Sequence, residues 1–216
     1  MQVSLIDYMG NDNSVVDAAR VSLSKQANQF TDEQNHKLIS YLANHNHWSP
    51  FAHTAITLRL KAPIAIHAQM MKHTVGFAHN TVSRRYVSDT PELFVPEFRE
   101  APKGNVKQGS GGRHGNSFNF ANWYKHQANE CIELYEKFID QGVAPEQARF
   151  VLPQGVMTEW VSTGSLYAWA RFYNLRTDPH AQKEIQDLAT MVGEIIEPLY
   201  PVSWTALTRQ SETRNG

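Results

Sequence analysis

The sequence predicts a mixed α/β (α+β) fold, with helices packed around a modest mixed sheet in a single domain over residues 1–216. Three observations carry that expectation. From Thr54 to Lys61 the chain alternates strictly, with Ile56, Leu58 and Leu60 on one face and Thr57, Arg59 and Lys61 on the other, the period of a half-buried strand. From Tyr124 to Ile139 the residues Tyr124, Ala128, Cys131, Ile132, Tyr135, Phe138 and Ile139 form one stripe at helical spacing. A second stripe, Ala181, Ile185, Leu188, Ala189, Val192, Ile196 and Leu199, follows Asp178-Pro179, read as N-cap and first residue of the last long helix.

The remaining elements follow in chain order. The segment from Gln2 (QVSLIDY) alternates weakly, and Asn13 or Ser14 can cap a short helix through Arg20. Thr31 with Gln34 makes a capping box for a helix that buries Leu38, Ile39 and Leu42 and ends near Asn44. HNHWSPF reads as a loop, and Pro63 as the first residue of a helix reaching about His73. Residues 99–122 are rich in Gly, Asn and Ser without periodicity and read as a mobile loop. No strand leads into those glycines and no Walker lysine follows them, so they do not make a phosphate loop.

Composition excludes several classes. A net charge of -1 gives no global attraction to nucleic acid or an anionic membrane. No apolar run approaches bilayer length and the N-terminus lacks signal-peptide character, which predicts a soluble, cytoplasmic protein. The single cysteine, Cys131, allows neither an internal disulfide nor a cysteine-rich metal centre.

Charge is distributed unevenly. From Gln34 to Ser88 there is no Asp or Glu, yet this stretch holds Lys37, Arg59, Lys61, Lys72, Arg84, Arg85 and seven of the ten histidines, a local positive field suited to an anion. Its densest part is KHTVGFAHNTVSRRY, Lys72 to Tyr86, where arginine forks match phosphate oxygens and Ser and Asn can bond a base or sugar. His67, His73 and His79 recur every six residues, which shares no helical face and brings no carboxylate, so no metal site is expected.

These segments resemble the flavin-dependent thymidylate synthases. The family signature, Arg-His-Arg, seven residues, then Ser, appears as Lys72-His73-Thr74, eight residues, then Ser83, followed by Arg85 and Tyr86. SLIDYMGNDNSVVDAARVS, HNHWSPFAHTAITLRLKAPI, ARFVLPQGVMTEWVSTGSLYAW and LRTDPHAQKEI resemble that family in the same order. The resemblance implies a homotetramer with active sites at subunit junctions, binding FAD, dUMP, methylenetetrahydrofolate and NADPH. It implies dUMP contacts at Gln69, Lys72, Ser83, Arg84, Arg85, Arg149 and Arg176, with Arg176 and Ser83 nearest the chemistry. It implies flavin contacts at His47, Ser49, Lys72, His73, Thr74, Asn80, Thr81, Ser165, Tyr167, Arg171 and His180. Lys72, Thr74, Thr81 and Tyr167 depart from the residues common there.

Uracil C5 is a poor nucleophile, so an enzyme either adds a thiolate at C6 or polarises the ring. Cys131 lies in an apolar stripe between Glu130 and Glu133, which disfavours a thiolate, and fixed cations become the expected route. Two other readings are a flavin-dependent hydroxymethyl transferase acting on the same nucleotides, and a nucleic-acid-binding module using Trp48, Phe51 and Tyr86 for stacking.

Overall fold

The computed structural model describes residues 1–104 and 109–208. In chain order these form β1 (Gln2–Met9), α1 (Asp12–Arg20), α2 (Asp32–Asn44), β2 (Ala55–Pro63), α3 (Ile64–Met70) and β3 (Phe77–Thr81). They continue as α4 (Ser117–Asp140), α5 (Pro145–Ala148), β4 (Met157–Gly164), α6 (Leu166–Arg176), α7 (Lys183–Ile196) and α8 (Pro201–Thr208). The α/β class expected from the alternation and the two stripes is the observed one.

The sheet order is β1-β2-β4-β3, and every neighbouring pair is antiparallel, where a mixed sheet was expected. The connections from β1 to β2 and from β3 to β4 each begin and end at the same end of the sheet, which produces antiparallel pairing. The predicted strand face is correct: Ile56, Leu58 and Leu60 are fully buried, as is Ala62. Alternation puts Trp160, Ser162 and Gly164 of β4 on this face, and Phe77, His79 and Thr81 of β3 beside them. On the opposite face Thr57 and Thr163 share a hydrogen bond of 2.9 Å and Arg59 pairs with Glu159 at 2.6 Å. The core closes over the apolar face with Trp169 and Phe172 of α6 and Ile185, Leu188 and Val192 of α7.

Several boundaries differ from the sequence reading for local reasons. Asn11 caps α1, accepting from the Ser14 amide at 3.1 Å, while the Ser14 hydroxyl accepts from the Asn11 amide, so Ser14 closes the box instead of opening it. The Thr31–Gln34 box stands as predicted. Pro63 ends β2 and caps α3, which stops at Met70, leaving Lys72–Thr74 in a turn. Residues 117–122, expected in the loop, already belong to α4; of the preceding stretch, residues 105–108 lie outside the described residues. The described part closes on itself through Arg99, whose Nε donates to Ser110 Oγ and the Gly111 carbonyl. In α4 Ala128, Ile132 and Tyr135 are buried, while Cys131 is only partly so.

The start of α7 also differs from the sequence reading. Asp178 does not cap it: its carboxylate accepts from the His180 amide at 2.7 Å and its carbonyl from the Ala181 amide at 2.9 Å, a self-contained turn that delays the helix to Lys183. Arg176 is the last residue of α6, not a loop residue at a helix N-terminus.

If the sheet face is the core, Leu58→Ala should cost about 3 kcal/mol of unfolding free energy. Urea titration reads this as a lower midpoint at unchanged slope. A loss under about 1 kcal/mol would contradict the placement of the core.

Candidate active site

Arg176 sits at the end of α6 against the turn that leaves α3. Its Nε donates to His73 Nε2 at 2.8 Å and its Nη2 to the Gln69 carbonyl at 3.2 Å. The Gln69 side chain donates to Gln182 Oε1 at 2.7 Å. From there the chain runs back along α6: the His73 ring meets Phe172 edge to face at 5.1 Å, and the Gly76 carbonyl accepts from the Ser165 amide at 3.3 Å. Gly76 has φ +79, and a Cβ there would lie 3.0 Å from that of Ala168, so only glycine fits this close approach. Lys72 and Thr74 flank His73 and are exposed.

A second group lies beyond β3. The Ser83 hydroxyl accepts from the Arg85 amide at 3.3 Å in a tight turn. Arg84 donates to the Asp89 carbonyl and lies 5.8 Å from the Tyr135 ring centre. Arg85 pairs with the Glu146 carboxylate at 3.2 Å, and Arg149 Nε donates to the Glu146 carbonyl at 3.2 Å. Arg85 and Arg149 thus converge on α5. Among the described residues no hydrogen bond or ion pair joins this group to the one around Arg176.

The residues expected at the flavin divide as well. His47 and Ser49 lie exposed after α2, and that loop is tied to α6 by Thr54, whose buried hydroxyl accepts from the Leu166 amide at 2.9 Å. Trp48 packs near Tyr167 with ring centres 6.1 Å apart, and Arg171 lies 6.0 Å from the centre of the Tyr167 ring. Trp48, read from the sequence only as a stacking residue of a nucleic-acid-binding module, thus lies beside Tyr167, between His47 and Ser49 in the chain. Ser165 caps α6, accepting from the Ala168 amide. Asn80 and Thr81 fall on opposite faces of β3: Asn80 is exposed, while the Thr81 hydroxyl meets His67 Nε2 at 3.0 Å. His180 is exposed and hydrogen-bonds Asp178. Among the described residues no group of three His, Cys, Asp or Glu could hold a metal, and no helix is long and apolar enough to cross a membrane.

An open aromatic pair with a guanidinium beside it, next to a basic turn, is the surface expected of a protein that handles a flat, phosphate-bearing ligand. The family described as thymidylate synthase complementing protein matches residues 4–202. The flavin-dependent thymidylate synthase of Thermotoga neapolitana is 33% identical over 213 residues, 96% of this chain and 90% of that protein. The enzyme of the same description from Kosmotoga olearia is 34% identical, covering 94% and 88%; one from Thermus thermophilus is 36% identical, covering 94% and 74%. A UMP/dUMP methylase, PolB from Streptomyces cacaoi bound with 5-Br dUMP, superposes with a TM-score of 0.88 at 29% identity, covering 96% and 94%. The chain belongs to the flavin-dependent thymidylate synthase family.

The Arg176–His73 bond fixes a protonation state. Nε2 accepts the Nε–H of Arg176, so the ring is neutral with its hydrogen on Nδ1. Burial first, then the charges of Arg176 and Arg171 and the neighbouring His79, lower the imidazole to about 4. Burial, then His79, also lowers His67. The folded value of His73 lies below its ordinary 6.5, so below that pH the unfolded chain takes up a proton that the folded one refuses. The stability linked to His73 is complete above pH 6.5 and is lost as pH falls toward about 4. In thermal melts, the advantage of the parent over His73→Asn should shrink across that window; a constant gap would contradict it.

Proposed function

We propose that this protein catalyses reductive methylation of dUMP to dTMP, with methylenetetrahydrofolate as carbon donor and NADPH as the source of hydride through FAD. The observation that carries this reading is the fixed Arg176 guanidinium, held by His73 and Gln69 beside a basic turn in a chain of this family. Burial lowers its affinity for the proton only in degree, and a guanidinium stays cationic at working pH. It can therefore hold negative charge on the uracil carbonyl edge without acting as an acid, leaving C5 electron-rich. Arg85 and Arg149 are assigned to the phosphate: the exposed ion pair of Arg85 with Glu146 is weak, and a dianion competes well for two guanidinium groups. Ser83, Arg84, Gln69 and Lys72 complete the nucleotide contacts in this reading.

The residues present fit a flavin. Trp48 and Tyr167 offer aromatic surface for a flat ring, and Arg171, Lys72 and His180 offer donors for a diphosphate, with His47, Ser49, His73, Thr74, Asn80, Thr81 and Ser165 around them. When bound, the flavin supplies hydride and mediates passage of the carbon unit. We assign a homotetramer and a cytoplasmic location. Support for the oligomer comes from the edge strand β1, whose Leu5, Ile6, Tyr8 and Met9 are all exposed in one chain.

The first test is the absorbance spectrum of the purified protein, which should carry the bands of oxidised flavin; a colourless protein with salt-sensitive oligonucleotide binding would overturn the reading in favour of a nucleic-acid module. Product analysis with dUMP and with UMP, the two substrates in the structural relative's description, separates methyl from hydroxymethyl transfer. With flavin reduced beforehand, Arg176→Ala should lower single-turnover methylation about 10²–10³-fold. Cys131→Ala should keep most turnover and lose at most about 1–2 kcal/mol of stability. A folded, flavin-loaded Cys131→Ala protein without turnover would reinstate a thiolate route.

A further inference from the structure

We infer that His79, held by Ser162, is a positioning residue that sets the direction of the Arg176 guanidinium; this rests on the role of Arg176 proposed above. Ser162 is fully buried on the apolar face of β4, and its hydroxyl lies 2.7 Å from His79 Nδ1 across the β3–β4 pair. His79 Nε2 lies 3.0 Å from the His73 carbonyl oxygen. A carbonyl only accepts, so Nε2 carries the hydrogen, and in the neutral ring Nδ1 accepts from the serine hydroxyl. The His73 carbonyl thereby selects the tautomer, and the buried Ser162 hydroxyl supplies the donor that Nδ1 then needs.

The grip is stiff because the ring cannot turn freely. Phe77 stacks on it at 5.4 Å with an interplanar angle of 18° and meets Trp169 edge to face at 4.8 Å. Phe77 in turn occupies the space left by Gly164, where a Cβ would come within 2.5 Å of its ring. The His73 amide donates to the Met70 carbonyl at 2.9 Å, so the turn is pinned at its amide by α3 and at its carbonyl by β3. Between these two anchors the His73 side chain presents Nε2 to Arg176. Nε and Nη2 of Arg176 are then spent on His73 and Gln69, and Nη1 makes no hydrogen bond among the described residues, which leaves that end of the fork for a ligand. Loss of the His79 grip frees the His73 carbonyl, and the orientation of the guanidinium goes with it. Small displacements of a charge-stabilising group are costly in rate and cheap in binding.

The test combines His79→Phe, which keeps the stacking and removes both hydrogen bonds, with His79→Gln, which can restore them, and Ser162→Ala, which removes only the hydroxyl. In single turnover with reduced flavin, His79→Phe should slow methylation about tenfold while dUMP affinity stays within about threefold; His79→Gln should recover most of the rate and Ser162→Ala lose about threefold. On an Arg176→Lys background, His79→Phe should cost less than about twofold more, since the two act through one group. Equal losses on both backgrounds, or a parent-like rate in folded His79→Phe, overturn the proposal. Should the parent protein itself fail to methylate dUMP, the functional reading falls, and the inference is decided without substrate. Nitrogen-15 spectra of the His73 ring and the Arg176 Nε–H should change in His79→Phe, and unchanged spectra overturn it. If His79→Phe does not fold, Ser162→Ala carries the same two arms.

Discussion

An imidazole accepts a hydrogen bond from a guanidinium only while it is neutral, and the contact of Arg176 Nε with His73 Nε2 at 2.8 Å imposes that condition on the site. Much of the surrounding fold serves to keep it. Burial and nearby cations lower His73 to about 4, so the acceptor survives through the neutral range. Gly76 lets the turn lie against α6, where a side chain would push it away. Arg176, on the last turn of α6 just ahead of the Asp178 turn, reaches His73 and the Gln69 carbonyl. A loop position for Arg176 would lose this constraint, and with it the fixed direction that electrostatic stabilisation needs.

Where one local signal dominated, the sequence was read correctly. Strict alternation gave the buried face of β2 because one face meets the core and the other meets water. The Thr31–Gln34 box marked α2 because both reciprocal bonds are local. The errors come from competition between local signals. Asn11, Asn13 and Ser14 could all cap, and it is Asn11, directly after the left-handed Gly10, that does. Asp178-Pro179 has the composition of a helix start, yet the Asp178 carboxylate found the His180 amide first. The polar pair His79 and Ser162 was invisible because their register, 83 residues apart, exists only once β3 pairs with β4. The candidate site was legible as a set of residue types along one acid-free stretch; its division into two groups was not, since nothing in a linear sequence separates Arg85 from Lys72 in space.

That division shapes the functional account. Gln69, His73 and Arg176 form one group; Ser83, Arg84, Arg85 and Arg149 form another, in which Arg85 and Arg149 meet at Glu146. Under the proposed function, a single chain would supply the ring-polarising cation of one site and the phosphate-binding arginines of another, and the exposed apolar strand β1 would belong to the association that brings the halves together. Arg85, taken alone, looks like an ordinary surface residue: it and Glu146 are both about half exposed, an arrangement of little worth to stability.

Complementation between subunits tests this claim most directly. Arg176→Ala and Arg85→Ala should each abolish most methylation of dUMP when expressed alone, because each leaves every site without one half. Co-expressed and purified as mixed oligomers, the two variants should regain roughly one quarter of the parent activity, the share of sites that draw an intact half from each kind of chain. Mixed oligomers no more active than the separate variants would contradict a site shared between chains and require both groups to meet within one.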